Sequence, residues 1–182
     1  FTNFYRRGWV LKVAGELYST AVCQARQPVF YEEYGVADTP DGRFDSILLH
    51  VFLLLRRLKG YDENSKEISQ AVFDTMFKDM DQNLREMGVG DMGVSSRIKD
   101  MAKAFYGRIA AYEKGLDDQD NAFLESALSR NLYRQTNPEP AVVNFMAEYV
   151  RGQEKELAMQ KIDNLLNGSV HFSTPPSIGS NR

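Results

Sequence analysis

Residues 38–58, DTPDGRFDSILLHVFLLLRRL, hold the densest run of apolar side chains in this 182-residue chain. At about 100° per residue, Phe44, Ile47, Leu48, Val51, Leu54, Leu55 and Leu58 fill one half of a helical circle, and Leu49, Phe52 and Leu53 fill much of the other. A helix that is apolar nearly all round is either buried on every side or keeps one side for a partner. The run is interrupted by His50 and is shorter than the roughly 20 residues a membrane span requires. Two outcomes follow. Other helices cover Leu49, Phe52 and Leu53, or these residues form an exposed patch bordered by Arg56 and Arg57, of the kind that marks a partner or membrane-surface site.

The remainder reads as helices punctuated by glycine and proline, without a strand-like alternation of any length. The fold class expected is all-α, a single-domain bundle of about six to seven helices around a central apolar helix at about 43–59. Flanking helices are expected over 8–27 (buried stripe Val10, Ala14, Leu17, Tyr18, Ala21, Val22 and Ala25, with Cys23 partly buried beside it) and over 28–34, opened by Pro28 and ended by Gly35. A helix over 64–87 is expected to be capped by Asn64 with Glu67 as its reciprocal partner. The next covers 94–115, with Val94, Ile98, Met101, Phe105, Ile109 and Tyr112 on one stripe. A further helix from near Asp117 buries Phe123, Leu124, Ala127, Leu128 and Leu132. The last opens at Asn137-Pro138 and runs to about 167, with a bend at Gly152. Residues 1–167 then form the helical domain, and 168–182, with Pro175 and Pro176, an extended or disordered tail.

Composition excludes several functions. A net charge of −3 provides no positive field for nucleic acid. The single cysteine, Cys23, rules out an intramolecular disulfide and a cysteine zinc site, and fits a reducing compartment. The opening residues carry no signal-peptide pattern. GVGDMG at 88–93 matches G-x-G-x-x-G, but a helix precedes it where a dinucleotide fingerprint needs a strand. Asp79-Met-Asp81-Gln-Asn83 opens like an EF-hand loop and then places Leu84 where glycine is needed. His50 has no acid three or four residues on with which to share a metal, and no nucleophile motif is present. Neither catalysis, metal nor cofactor is expected.

Charges gather at the edges of the buried faces: Asp38, Asp41, Arg43 and Asp45 before the central helix, Asp79, Asn83, Glu86 and Asp91 along the next, and Arg97 and Arg108 beside the stripe of the one after. Half-buried arginines demand carboxylates. The cluster Asp38, Asp41, Arg43, Asp79, Glu86, Asp91, Arg97 and Arg108 is therefore expected to pair and to fix how these helices cross. The other reading is a polar ligand pocket.

Together with DTMFKDMDQNLREMGVGDMGVSSRIKDMAKAFYGRIAAYEKGL and ALSRNLYR, the opening motif resembles the ubiquinol–cytochrome c chaperone family, the assembly factors of the cytochrome bc complex, from about residue 17 to residue 151. The D-G-R-F and L-R-E-M-G-V-G-D forms resemble its alphaproteobacterial branch. The resemblance implies a non-enzymatic chaperone that binds newly made cytochrome b or its assembly intermediate. It would act with a small helical co-chaperone or as a homodimer, with peripheral membrane contact. It implies the bacterial cytoplasm beside the inner membrane, or the mitochondrial matrix and inner membrane in a eukaryote. It brings no catalytic residues. The client surface expected here is Leu49, Phe52, Leu53, Arg56 and Tyr106, with Met76, Met80, Met87 and Met92 of the helix over 64–87 and its turn either adapting to a varied partner or filling gaps in the core. Two competing readings are a haem- or small-ligand-handling protein using His50 and the acid–arginine cluster, and a membrane-surface scaffold held by Leu49, Phe52 and Leu53.

Overall fold

The central helix α3 (Pro40–Leu58) is surrounded by α1 (Thr2–Ala25), α4 (Glu63–Glu86), α5 (Asp91–Asp117) and α7 (Pro140–Met159), while α2 (Pro28–Glu32), α6 (Ala122–Asn131) and α8 (Ile162–Leu166) close the gaps between them. This computed structural model describes residues 2–181. Among them there are eight α-helices, one 3-10 turn and no strand. No helix of the described residues is long and apolar enough to cross a membrane.

The apolar surplus of α3 is resolved by burial. Leu49, Phe52 and Leu53 are each no more than 1% exposed, and Phe52 packs against the ring of Tyr112 on α5 at 5.4 Å between centroids. Burying a Leu or Phe side chain is worth about 1.5–3 kcal/mol relative to leaving it in water, so these three residues are core. The expected client patch at Leu49, Phe52 and Leu53 does not exist on the surface, and neither does the membrane scaffold built on it.

The helix starts differ from the sequence expectation by a few residues, each for a local reason. In α3 the Thr39 side chain accepts the Gly42 N–H at 3.1 Å and Pro40 occupies the first turn, so the helix begins before Arg43. Asp45, in the second turn, is buried. A Cβ on Gly42 would lie 2.0 Å from the Ala37 carbonyl oxygen, so only glycine fits there. Helix α4 is capped by Asp62 and Ser65 in a reciprocal box, not by Asn64 and Glu67. Glu67 instead receives Arg6 of α1 at 2.9 Å. Gly88, at φ +84°, stops α4, and Gly90 opens α5, so GVGDMG is a helix-to-helix turn.

Helix α5 continues through Asp117, and α6 starts only at Ala122, which leaves Phe123 46% exposed beneath the Lys114 ammonium at 4.4 Å. Helix α7 opens at the second proline of the loop, Pro140, and continues through Gly152 to Met159, short of the expected 167. Gln160 caps its end, where Arg57 donates to the Leu157 and Gln160 carbonyls at 2.9 and 3.0 Å. Cys23 is exposed, not partly buried.

Residues 169–177 cross the molecule as an extended strap. Phe172 and Pro175 are buried. The Ser173 N–H donates to Gln153 at 2.9 Å, its carbonyl accepts from Gln24 at 2.8 Å, and the Pro176 carbonyl accepts from the Tyr34 hydroxyl at 2.8 Å. The Glu33 carboxylate accepts from Ser177 Oγ and from the Ile178 N–H.

Candidate functional site

A groove of about 570 Å³ opens where the start of α3, the end of α4 and the first half of α5 meet. Its floor is apolar: Phe44 and Ile47 from α3, Met80 and Leu84 from α4, Met101 and Ala104 from α5. Its rim is charged, with Arg26, Arg43, Arg97, Arg108 and Arg134 set among Asp41, Glu86 and Asp100. Met87, 57% exposed, stands at the edge. An apolar floor with unbranched, polarizable thioethers and a polar rim can accept varied apolar segments.

One wall of the groove is fixed by Asp45, only 2% exposed. Arg108 of α5 donates to one of its oxygens, and Arg134, from the loop after α6, donates to both, at 2.9 and 3.0 Å. Burial pushes the Asp45 carboxyl above the usual range, while the two guanidiniums oppose that shift. Arg108 also lies 6.0 Å from the Phe44 ring centroid. A single carboxylate thus joins α3, α5 and the α6–α7 loop.

Of the charge cluster expected from sequence, the groove gathers Asp41, Arg43, Glu86, Arg97 and Arg108. The others lie elsewhere. Asp38 pairs with Arg43 at 2.8 Å, Asp91 with Arg85, and Asp79 accepts the Tyr18 hydroxyl at 2.6 Å, which ties α4 to α1. Burial first, and then that hydrogen bond, raises the pKa of Tyr18. No acid of α4 reaches Arg97 or Arg108. Arg97 is exposed and makes no ion pair among the described residues. Nothing in the sequence pattern singles out Arg26, Asp100 or Arg134, which also line the groove. Arg134 is 89 residues from Asp45 in the chain, so no helical periodicity connects them.

His50 is fully buried and fully engaged. Its Nδ1 lies 2.8 Å from the Ser46 carbonyl, which can only accept, so Nδ1 carries the proton. Nε2 then accepts from the Tyr149 hydroxyl at 2.9 Å, and that hydroxyl accepts from Gln24 at 2.8 Å. Burial drives the His50 pKa down to about 4. With both ring nitrogens occupied inside the core, His50 offers no haem or metal ligand. No cluster of three or more His, Cys, Asp or Glu suited to a metal occurs among the described residues.

Arg56 donates to Glu154 at 2.6 Å and to Asp117 at 2.8 Å, tying α3 to α7 and to the end of α5. Tyr106 is 65% exposed beside the rings of Phe73 and Phe105 and does not line the groove. The five residues expected to form one client face are therefore not one surface.

The sequence model of the family described as Ubiquinol-cytochrome C chaperone matches residues 32–172. The chain belongs to that family. Relatives in the ubiquinol-cytochrome C chaperone family include the ubiquinol-cytochrome-c reductase complex assembly factor 1 of Xenopus laevis, 29% identical across 89% of this chain and 82% of the relative. Its Mus musculus counterpart is 30% identical across 90% of this chain. The chain spans only 56% of that mouse protein's length. The crystal structure of the Cbp3 homolog from Brucella abortus is similar with a TM-score of 0.83, at 34% identity, over 95% of this chain and 96% of that one. That neighbour fits the alphaproteobacterial type of the chaperone family, and the shared fold is the all-α bundle described above.

Proposed function

We propose that this chain is an assembly chaperone that holds newly made cytochrome b on its way into the ubiquinol–cytochrome c reductase complex, and that the groove between α3, α4 and α5 receives the client. The observation that carries this reading is the methionine-bearing apolar floor within a rim of arginines and acids, in a chain of a chaperone family. A transmembrane client exposes long apolar segments before assembly, and an adaptable apolar groove shields part of one. The relatives are named for assembly of the whole complex, and cytochrome b is its subunit with the most apolar surface to shield.

A photo-crosslinking residue at position 104, exposed at the groove, is compared with one at exposed position 155 on α7, in cells assembling the complex. Cytochrome b is expected from position 104 and not from 155. Equal capture from both positions, or none from 104, refutes the assignment.

A further inference from the structure

The methionines of this chain fall into three environments. Met76 and Met146 belong to the core and are each no more than 1% exposed. Met92, in the first turn of α5, and Met159, at the end of α7, are open to solvent, and neither lines the groove. Met80, Met87 and Met101 do line it, in graded exposure: Met80 is buried, Met101 half-buried and Met87 57% exposed.

The thioethers are the only part of the groove floor whose polarity chemistry can change under mild conditions. Phe44, Ile47, Leu84 and Ala104 are hydrocarbon there. Cys23, the other reactive sulfur, is exposed on α1 and does not line the groove, so thiol oxidation leaves the floor as it is. Hydrogen peroxide transfers one oxygen atom to a methionine Sδ. The peroxide O–O bond breaks, an S–O bond forms and water leaves, so sulfur loses two electrons and the peroxide gains them. The sulfoxide is polar and chiral where the thioether was apolar. An apolar client lying over it covers an oxygen that has lost its water and has no donor in return, which is unfavourable.

We propose that Met87 and Met101 form a redox-sensitive modification site, at which peroxide makes sulfoxides and the groove then releases its apolar client. The inference rests on the groove being the client site. Met87 is the entry point, because it is the most exposed of the three groove methionines.

The full chain, with the photo-crosslinking residue at position 104, is mixed with a fluorescein-labelled leucine–alanine peptide before and after treatment with hydrogen peroxide. Mass spectrometry of tryptic fragments reads which methionines carry oxygen. Met87, Met92 and Met159 should oxidise ahead of Met80, with Met76 and Met146 untouched. Peptide affinity, from fluorescence anisotropy, should fall about tenfold. Methionine sulfoxide reductases, one for each sulfoxide epimer, should restore it. Each variant is compared with itself before oxidation. Met87→Leu with Met101→Leu should keep its affinity through the treatment, and Met92→Leu with Met159→Leu should lose as much as the parent chain. Met87→Gln carries a polar group at the exposed edge without any oxidant and should bind weakly from the outset. Unchanged affinity once Met87 is oxidised, an equal fall in the Met87→Leu, Met101→Leu chain, or protection by Met92→Leu with Met159→Leu overturns the proposal. A peptide that never crosslinks to position 104 removes the groove assignment and the switch with it, whereas one that crosslinks there equally before and after oxidation removes the switch alone.

Discussion

At Asp45 both carboxylate oxygens are committed to guanidiniums inside the protein. Asp45→Ala strands Arg108, itself buried, with no carboxylate. Breaking such a pair typically costs about 3–5 kcal/mol, which a drop in the urea midpoint would register. Arg134→Ala should cost less, because the Arg134 side chain is 36% exposed and Arg108 still neutralises Asp45. His50 gives a pH dependence of defined sign. Its ordinary pKa of 6.5 falls to about 4 in the folded chain. Between these values the unfolded chain takes up a proton that the folded chain refuses, so stability present at neutral pH declines as pH drops from 6.5 to 4. The loss is on the order of 3 kcal/mol at the acid end. Unfolding free energies measured across that window should fall less steeply in His50→Gln. Parallel slopes for the two proteins would rule out a neutral, buried His50.

Among the elements, the crossing of α5 and α6 depends on a missing side chain. A Cβ on Gly115 would approach the Leu124 Cα to 2.7 Å. Gly115→Ala should push the two helices apart and lower stability by about 1–3 kcal/mol, again read from the denaturation midpoint. The element scale also shows what the sequence could and could not reveal. Periodicity identified α1, α3, α4 and α5 and most of their inward residues, because burial writes a repeat of three and four into any amphipathic helix. It could not choose between neighbouring caps such as Asp62 and Asn64, or between Pro138 and Pro140, because packing sets the phase of the helix that follows. It could not say which side of α3 was covered either, since a helix apolar all round has no preferred side. The groove was half legible. Its charges were visible as edge residues, but Arg26 and Arg134 arrive from α1 and from the loop after α6, and only the tertiary structure brings them to the rim.

On the scale of the molecule, the strap over 169–177 joins α2, α1 and α7 on the side of α3 that carries His50. Phe172 packs on the His50 ring at 5.5 Å between centroids. Phe172→Ala should cost about 3 kcal/mol. Removing residues 169–182 should speed amide hydrogen exchange at the end of α1 and in α2 while leaving the middle of α4 protected. Uniform acceleration throughout would mean the strap holds the whole fold and not one flank.

The same strap sets a timetable. Gln24, Glu33 and Tyr34 find their partners 142 to 149 residues further along the chain. Contacts so distant in sequence form late. At ribosomal speeds of roughly 5–20 residues per second, the start of the chain waits on the order of ten seconds for the residues that complete it. During that interval the buried face of α1 and the ring of Phe30 have only part of their eventual cover. A protein whose relatives assist the assembly of others thus passes through its own unprotected period, and its length is governed by synthesis, not by diffusion.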